Sequence, residues 1–306
     1  MALTKAHSRM IEGSAVNVVD FGAVGDGVTD DTAAIQAAID SATLPTGRRD
    51  FSVDKPNRAG AIIYIPAGSY KISTITVPQY VILKGDGEVT EIIVSGSIKW
   101  KATQFTNFQA CWGIHIRDMH IRGSVGNEVL LTGNPFALPS GTKNYAIDTL
   151  IDGTFENVTF ANASKGIAMQ GGFNNTFKHC YFRNLVIGVE LDGSRDTTDL
   201  TAKPTAYADD NVFIGCEFNN NYLSVRMRFA IGNEFIGCAF YNADTYHMLF
   251  VDECIGNTVS GGRLEQTGTH LAKLEGGNVV LNGGTTYMCI ADTNGVSDAD
   301  SEPGVG

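Results

Sequence analysis

An eight-residue pattern, Asn-x-Phe-x-x-Cys-x-Phe, recurs along the chain. It occupies 175–182, 211–218 and 233–240, and weaker copies start at Asn257 and Asn278. Upstream, 153–160 and 114–121 fit the same frame. From residue 153 onward the anchors are 22, 36, 22, 24 and 21 residues apart. A period of this length, carried by short apolar runs, belongs to a solenoid: one unit cannot bury its apolar face alone, and stacked neighbours bury it together. Leucine-rich repeats share the period, but their LxxLxLxxN pattern is absent. A helical repeat needs about ten or more residues free of Gly and Asn, which no copy offers. What remains is an all-β fold, a parallel β-helix, each repeat one coil of about three strands stacked at roughly 4.8 Å on the next.

The stacking assigns roles to the repeated residues. Phe177, Phe213 and Phe235 form one inward column, Cys180, Cys216 and Cys238 a second, and Phe182, Phe218 and Phe240 a third. His179, Gly215 and Gly237 sit where a left-handed turn is expected. Asn175, Asn211, Asn233, Asn257 and Asn278 form a ladder at another corner, each amide bonding to the next coil. Asn157, Asn162 and Asn174 begin glycosylation-type sequons, but turn chemistry accounts for them. Composition agrees: 35 glycines among 306 residues and only 18% charged residues suit short strands and tight turns over helical bundles.

Residues 16–42 read as a short strand, a Gly-rich turn and a helix. Asp30 or Asp31 caps the helix, and Ala34, Ile35, Ala38 and Ile39 line its buried face, with Pro45 and Gly47 ending it. GAVGDG lacks the GK[ST] of a phosphate loop and does not fit GxGxxG. Short strands occupy 61–97. The six cysteines (111, 180, 216, 238, 254 and 289) form no CxxC, so reduced core thiols are expected and neither a metal nor a cofactor is. Net charge is −11, which argues against nucleic acid as a partner. No run reaches the roughly 18 apolar residues of a membrane span, and residues 1–14 have no signal-peptide core. Two insertions, near 124–140 and 194–210, break the period where solenoids build sites. The expected layout is a lead-in arm over 1–15, a β-helix over 16–291 with its cap helix near 30–42, and an acidic mobile tail over 292–306.

The run NVVDFGAVGDGVTDDTAAIQAAID at 17–40 resembles the N-terminal signature of the pectate-lyase-like β-helix superfamily, in the branch holding rhamnogalacturonases and phage tailspikes. IYIPAGSYKI at 63–72 and VILKGDG at 81–87 match the strands that come after that signature in the superfamily. SRMIEGSAVNVVDFGA at 8–23 resembles the segment joining a tailspike's attachment region to its β-helix. The resemblance covers about residues 8–290. It implies a right-handed helix capped from residue 32, a homotrimer, a host surface polysaccharide as ligand, and a place in the virion. It also implies that the N-terminal arm meets other tail or baseplate proteins. Three readings stand: a tailspike that binds host polysaccharide, whether or not it also cleaves it by hydrolysis or β-elimination, a non-catalytic spike or adaptor, and a free-standing bacterial lyase or hydrolase. The short helix and the lack of a C-terminal trimerisation domain favour the second.

No catalytic motif carries over. Polygalacturonase-type members use GHG and RxK, both absent here, and Asp209-Asp210 only superficially resembles their paired Asp. The calcium-dependent lyase motif is absent too. Geometry is the remaining guide, since glycoside hydrolysis needs two carboxylates about 5–9.5 Å apart. One outward column reads Asp192, Arg228, Asp252, Lys273, with a two-residue ambiguity in the last two. Its neighbour starts Glu190, Arg226, and a third reads Tyr181, Glu217, Ala239, Arg263. The first column is either a surface charge ladder of little worth or a groove beside the 194–210 insertion. In the groove Glu190, Asp192 or Glu217 is acid or base, and Arg226 and Arg228 hold an acidic sugar. Asp209 and Asp210 complete it, while Tyr181, Tyr207, Tyr222 and Trp112 offer rings for sugars.

Overall fold

The computed structural model describes residues 15–41, 61–101, 103–104, 109–124, 129–133, 149–193, 207–267, 270–274, 279–282 and 285–287. The coil starting at Thr176 shows the plan. The strand Thr176–Lys178 is its first leg. A left-handed residue, His179 at φ 50°, turns the chain into the strand Tyr181–Asp192, which Asn184 at φ 55° bends into a second and a third leg. After the insertion, Ala208–Asp209 makes a short fourth leg. Val212–Ile214, Glu217–Asn219, Leu223–Arg228 and Ala230–Ile231 then repeat the course one layer on. Pairing between successive coils is parallel. Among the described residues the antiparallel exception is Thr103–Gln104 against Gln109–Trp112.

The core columns are those expected. The rings of Phe155, Phe177, Phe213 and Phe235 stack at 4.6, 4.4 and 4.5 Å. Those of Phe160, Phe182, Phe218 and Phe240 stack at 5.1, 4.7 and 4.7 Å. These centroid separations match the layer spacing that backbone hydrogen bonding imposes, so each coil adds an aromatic contact without leaving register. Between the two columns the thiols of Cys180, Cys216 and Cys238 each reach a carbonyl of the preceding coil at 3.4 Å. The five described cysteines are buried and in no disulfide, and Cys289 lies outside the described residues.

The asparagine ladder is continuous. Asn175, Asn211 and Asn233 donate side chain to side chain, each to the next asparagine in the series ending at Asn257, at 2.8 Å. Each accepting oxygen also takes the backbone N–H of the asparagine before it. The second amide hydrogens go to the carbonyls of Leu150, Gly172, Ala208 and Ala230. Asn278 lies outside the described residues. The sequon asparagines Asn157, Asn162 and Asn174 have φ of 53°, 56° and 55°, so they are left-handed corners.

At the N-terminal end the helix Thr32–Ser41 buries Ile35, Ala38 and Ile39, with Ala34 packed partly against the core. The two aspartates before it divide the work. Asp30 takes the N–H of Thr32 at 3.0 Å. Asp31, 1% exposed, turns back and accepts from the N–H groups of Val24 and Gly25 at 2.7 and 3.0 Å. Its carboxylate therefore holds the Gly-rich turn on the end of the helix. At Gly25, φ 69°, a Cβ would meet the Tyr70 ring at 2.8 Å, so a side chain is excluded by space as well as by backbone. Pro45, Gly47 and nearly all of the lead-in arm and tail lie outside the described residues.

Candidate functional site

The third leg alternates inward apolar and outward polar residues, so Glu190 and Asp192 share one outward face. Glu190 pairs in register with Arg226, and Asp192 with Arg228, on the next coil. The Arg226 guanidinium donates to Glu190 at 2.7 Å, and Lys165 from the preceding coil occupies the other carboxylate oxygen. Arg228 donates to Asp192 at 2.7 Å and lies 5.5 Å from the centre of the Phe229 ring. Burial raises the Glu190 carboxyl, but hydrogen bonds and charge from Lys165 and Arg226 outweigh it and hold the group below its ordinary value. At Asp192 burial wins over Arg228, and the carboxyl is pushed up. The two carboxyls of the ladder are thus shifted in opposite directions.

The ladder departs from its expected composition. Val251, not Asp252, follows Arg228, and Lys273 falls in register behind Leu249 in the Glu190–Arg226 column. The rung between Asn233 and Asn257 carries two extra residues. One enters at the corner before Tyr246 and one after Val251, so the offset changes from 22 to 23 to 24 within a single coil.

Glu217 and Tyr181 are not part of this face. They lie on the second leg, in the expected column Tyr181, Glu217, Ala239, Arg263, across the corner turned by Asn184 and Asn220. Glu217 accepts from Asn219 at 3.3 Å. The trio Glu190, Asp192 and Glu217 is therefore not assembled: the left-handed corner turns the second and third legs toward different sides.

The fourth leg carries another group. Tyr207 donates to the Glu253 carboxylate at 2.9 Å. Asp209 points outward beside them, with one carboxylate oxygen buried and unpartnered. Burial, reinforced by the charge of Asp210, pushes the Asp209 carboxyl up to about 6. Asp210 is the exposed left-handed corner residue at φ 52°.

Sequence reasoning missed a third group, on the second leg nearer the N-terminus. The strand Ile82–Val94 pairs Gly87 with Met119 and then Glu91 with His120, so residues 88–90 have no partner on the strand His115–Gly123 and form a bulge against it. Glu88 on this bulge reaches the Thr159 hydroxyl and, at 3.4 Å, Arg183. It also lies 4.0 Å from His120 Nδ1. Glu91 holds Arg122 at 2.6 Å. Burial keeps His120 below its usual pKa, against the opposing charge of Glu88. In a regular strand Glu88 and Glu91 would face opposite ways; the bulge that brings them together has no strong signature in GDGEVTE beyond its glycines.

With this geometry in place, residues 15–226 match the model of the family described as rhamnogalacturonase A/epimerase, pectate lyase-like. The chain belongs to that family. Among the relatives of this pectate lyase-like chain is the mannuronan C5-epimerase AlgE5 of Azotobacter vinelandii, 41% identical over 90 residues, or 26% of this chain and 8% of that protein. The tail spike protein of Shigella phage Sf6 is 26% identical over 180 residues, covering 58% of this chain and 27% of the spike. The chain thus spans a small part of the curated relatives it matches. Among solved structures, the enzymatically active domain of bacteriophage CBA120 tailspike protein 2 superposes with a TM-score of 0.60 at 15% identity, over 89% of this chain and 38% of that one. The phiAB6 tailspike, solved with oligosaccharides of Acinetobacter baumannii surface polysaccharide, gives 0.55 at 17% identity, over 91% and 49%. At these identities the likeness speaks for the fold alone, the right-handed parallel β-helix.

Proposed function

We propose that this pectate lyase-like chain is the β-helix of a phage tailspike-type protein, carried on the virion, that binds host cell-surface polysaccharide. In this reading it is a homotrimer whose N-terminal arm docks to other tail or baseplate proteins. The carrying observation is the rigid third-leg ladder, in which Glu190 and Asp192 hold Arg226 and Arg228 outward on a flat strand surface. Each guanidinium keeps further N–H donors for the carboxylate or hydroxyls of a sugar. The Sf6 tail spike relative supports the same reading, and the two tailspike structures share the fold it requires.

The test is binding to capsule, O-antigen and exopolysaccharide preparations, with polymer size followed by gel filtration. Binding is expected, and about tenfold weaker in the Arg226→Ala/Arg228→Ala double variant, equivalent to about 1.4 kcal/mol. Binding that ignores both changes would remove the ladder from the site. Depolymerisation is the second reading, favoured by Asp209: a carboxyl titrating near 6 suits a general acid. Cleavage abolished by Asp209→Asn would support it, and binding with unchanged polymer size would leave a non-catalytic spike.

A further inference from the structure

The corner between the second and third legs holds a groove of about 440 Å³ that the charge ladder does not use. Its floor is apolar. Val186 and Tyr222, one coil apart, are 51% and 53% exposed, an unusual degree for large apolar side chains set side by side. Its rim is polar, formed by Asn184, Asn220 and Asp244.

The backbone around it is tightly held. Asn184 and Asn220 turn the corner at φ 55° and 52°. Tyr222 donates its N–H to Leu185 at 2.9 Å, and its carbonyl accepts from the N–H and the hydroxyl of Thr245 at 3.0 and 2.6 Å. Asp244 sits where the next coil gains a residue, between the Tyr241 and Tyr246 register positions. Its N–H bonds to the Asn221 carbonyl at 3.0 Å, which fixes its backbone at the groove's edge. Among the described residues, neither the Tyr222 hydroxyl nor the side chains of Asn220 and Asp244 bond within the chain.

We propose that this groove is a subsite for a neutral pyranose unit. A pyranose has a C–H face and a rim of hydroxyls. The tyrosine ring and valine methyls match the first, and an amide with both donor and acceptor beside a carboxylate matches the second. No lysine or arginine lines the groove. A uronate there would meet Asp244 without a counter-charge, at a cost of about 1 kcal/mol for like charges some 4 Å apart in water. The subsite deepens the polysaccharide reading and rests on it: a heteropolymer would lay a neutral sugar at Tyr222 and an acidic one toward Arg226 and Arg228.

The test uses the full chain labelled with 3-fluorotyrosine, the Tyr222 resonance being assigned by its loss in Tyr222→Phe. Methyl glycosides of glucose, galactose and N-acetylglucosamine are titrated against glucuronate. A saturable shift of that resonance is expected with at least one neutral glycoside, with a Kd on the order of millimolar. Asp244→Ala should weaken it about fivefold, and glucuronate should leave the resonance in place. No saturable shift with any neutral glycoside, or an equal response to glucuronate, overturns the proposal. Polysaccharide binding by Tyr222→Ala separates the two readings. Full-strength binding to the polymer would overturn the subsite and leave the polysaccharide reading standing. A neutral-glycoside response in a protein that binds no polymer would support the subsite and sink the larger reading.

Discussion

Asn233 accepts from the backbone and the side chain of Asn211 and donates to Asn257 and the Ala208 carbonyl, all without contact with water. Truncating it strands donors and acceptors on both neighbouring coils, and each buried orphan costs about 1–3 kcal/mol. Asn233→Ala is therefore expected to lower the unfolding free energy by about 3 kcal/mol or more in urea titrations. Asn219→Ala, at a partly exposed position on the outer face, should change it by less than about 0.5 kcal/mol. Equal effects would mean that the ladder is not a principal support of the coil stack.

Within the strand Tyr246–Val251, His247 is fully buried against Phe240, and its Nε2 lies 3.0 Å from the Glu265 carbonyl. Burial drives its pKa down from 6.5 to about 4, against the opposing carbonyl contact. Because the folded value is the lower one, the fold favours the neutral ring. That contribution is complete above the unfolded pKa and is lost as pH falls through about 4. The difference amounts to roughly 3 kcal/mol. Thermal unfolding is expected to show a stability loss between these pH values that His247→Gln reduces, since its amide still donates to Glu265. An unchanged profile in the variant would place the loss elsewhere. The same burial makes His247 a poor ligand or base candidate.

For the whole molecule, the proposed homotrimer needs a face on which copies meet. The outward column of the fourth leg runs Trp112, Ile151, Phe173, Asp209, Ile231, Ile255, apolar at every position but one. An outward column of this kind suits association between copies. The native mass is expected near three times 32.7 kDa, and Ile255→Glu, at a position 48% exposed, should shift it toward the monomer. A monomeric wild-type chain would remove the homotrimer. It would also confine any carboxylate pair to one chain.

Much of this architecture was legible in the residues themselves. The 22-residue period, the paired phenylalanine columns, the asparagine ladder and the left-handed corners all come from local rules. Each coil sees the same environment as the last, so a pattern repeated in sequence becomes a column in space. The Glu190–Arg226 and Asp192–Arg228 pairs were readable for the same reason. What sequence could not decide lies where the repeat is broken or where a corner intervenes. The extra residues flanking Tyr246–Val251 move Asp252 and Lys273 out of the expected column. The Asn184 and Asn220 corners turn Glu217 away from Glu190 and Asp192. The bulge at 88–90 brings Glu88 onto His120 and Arg183. Side-chain direction reverses with every single-residue shift along a strand, so an insertion of one or two residues leaves the fold intact and rewrites the site.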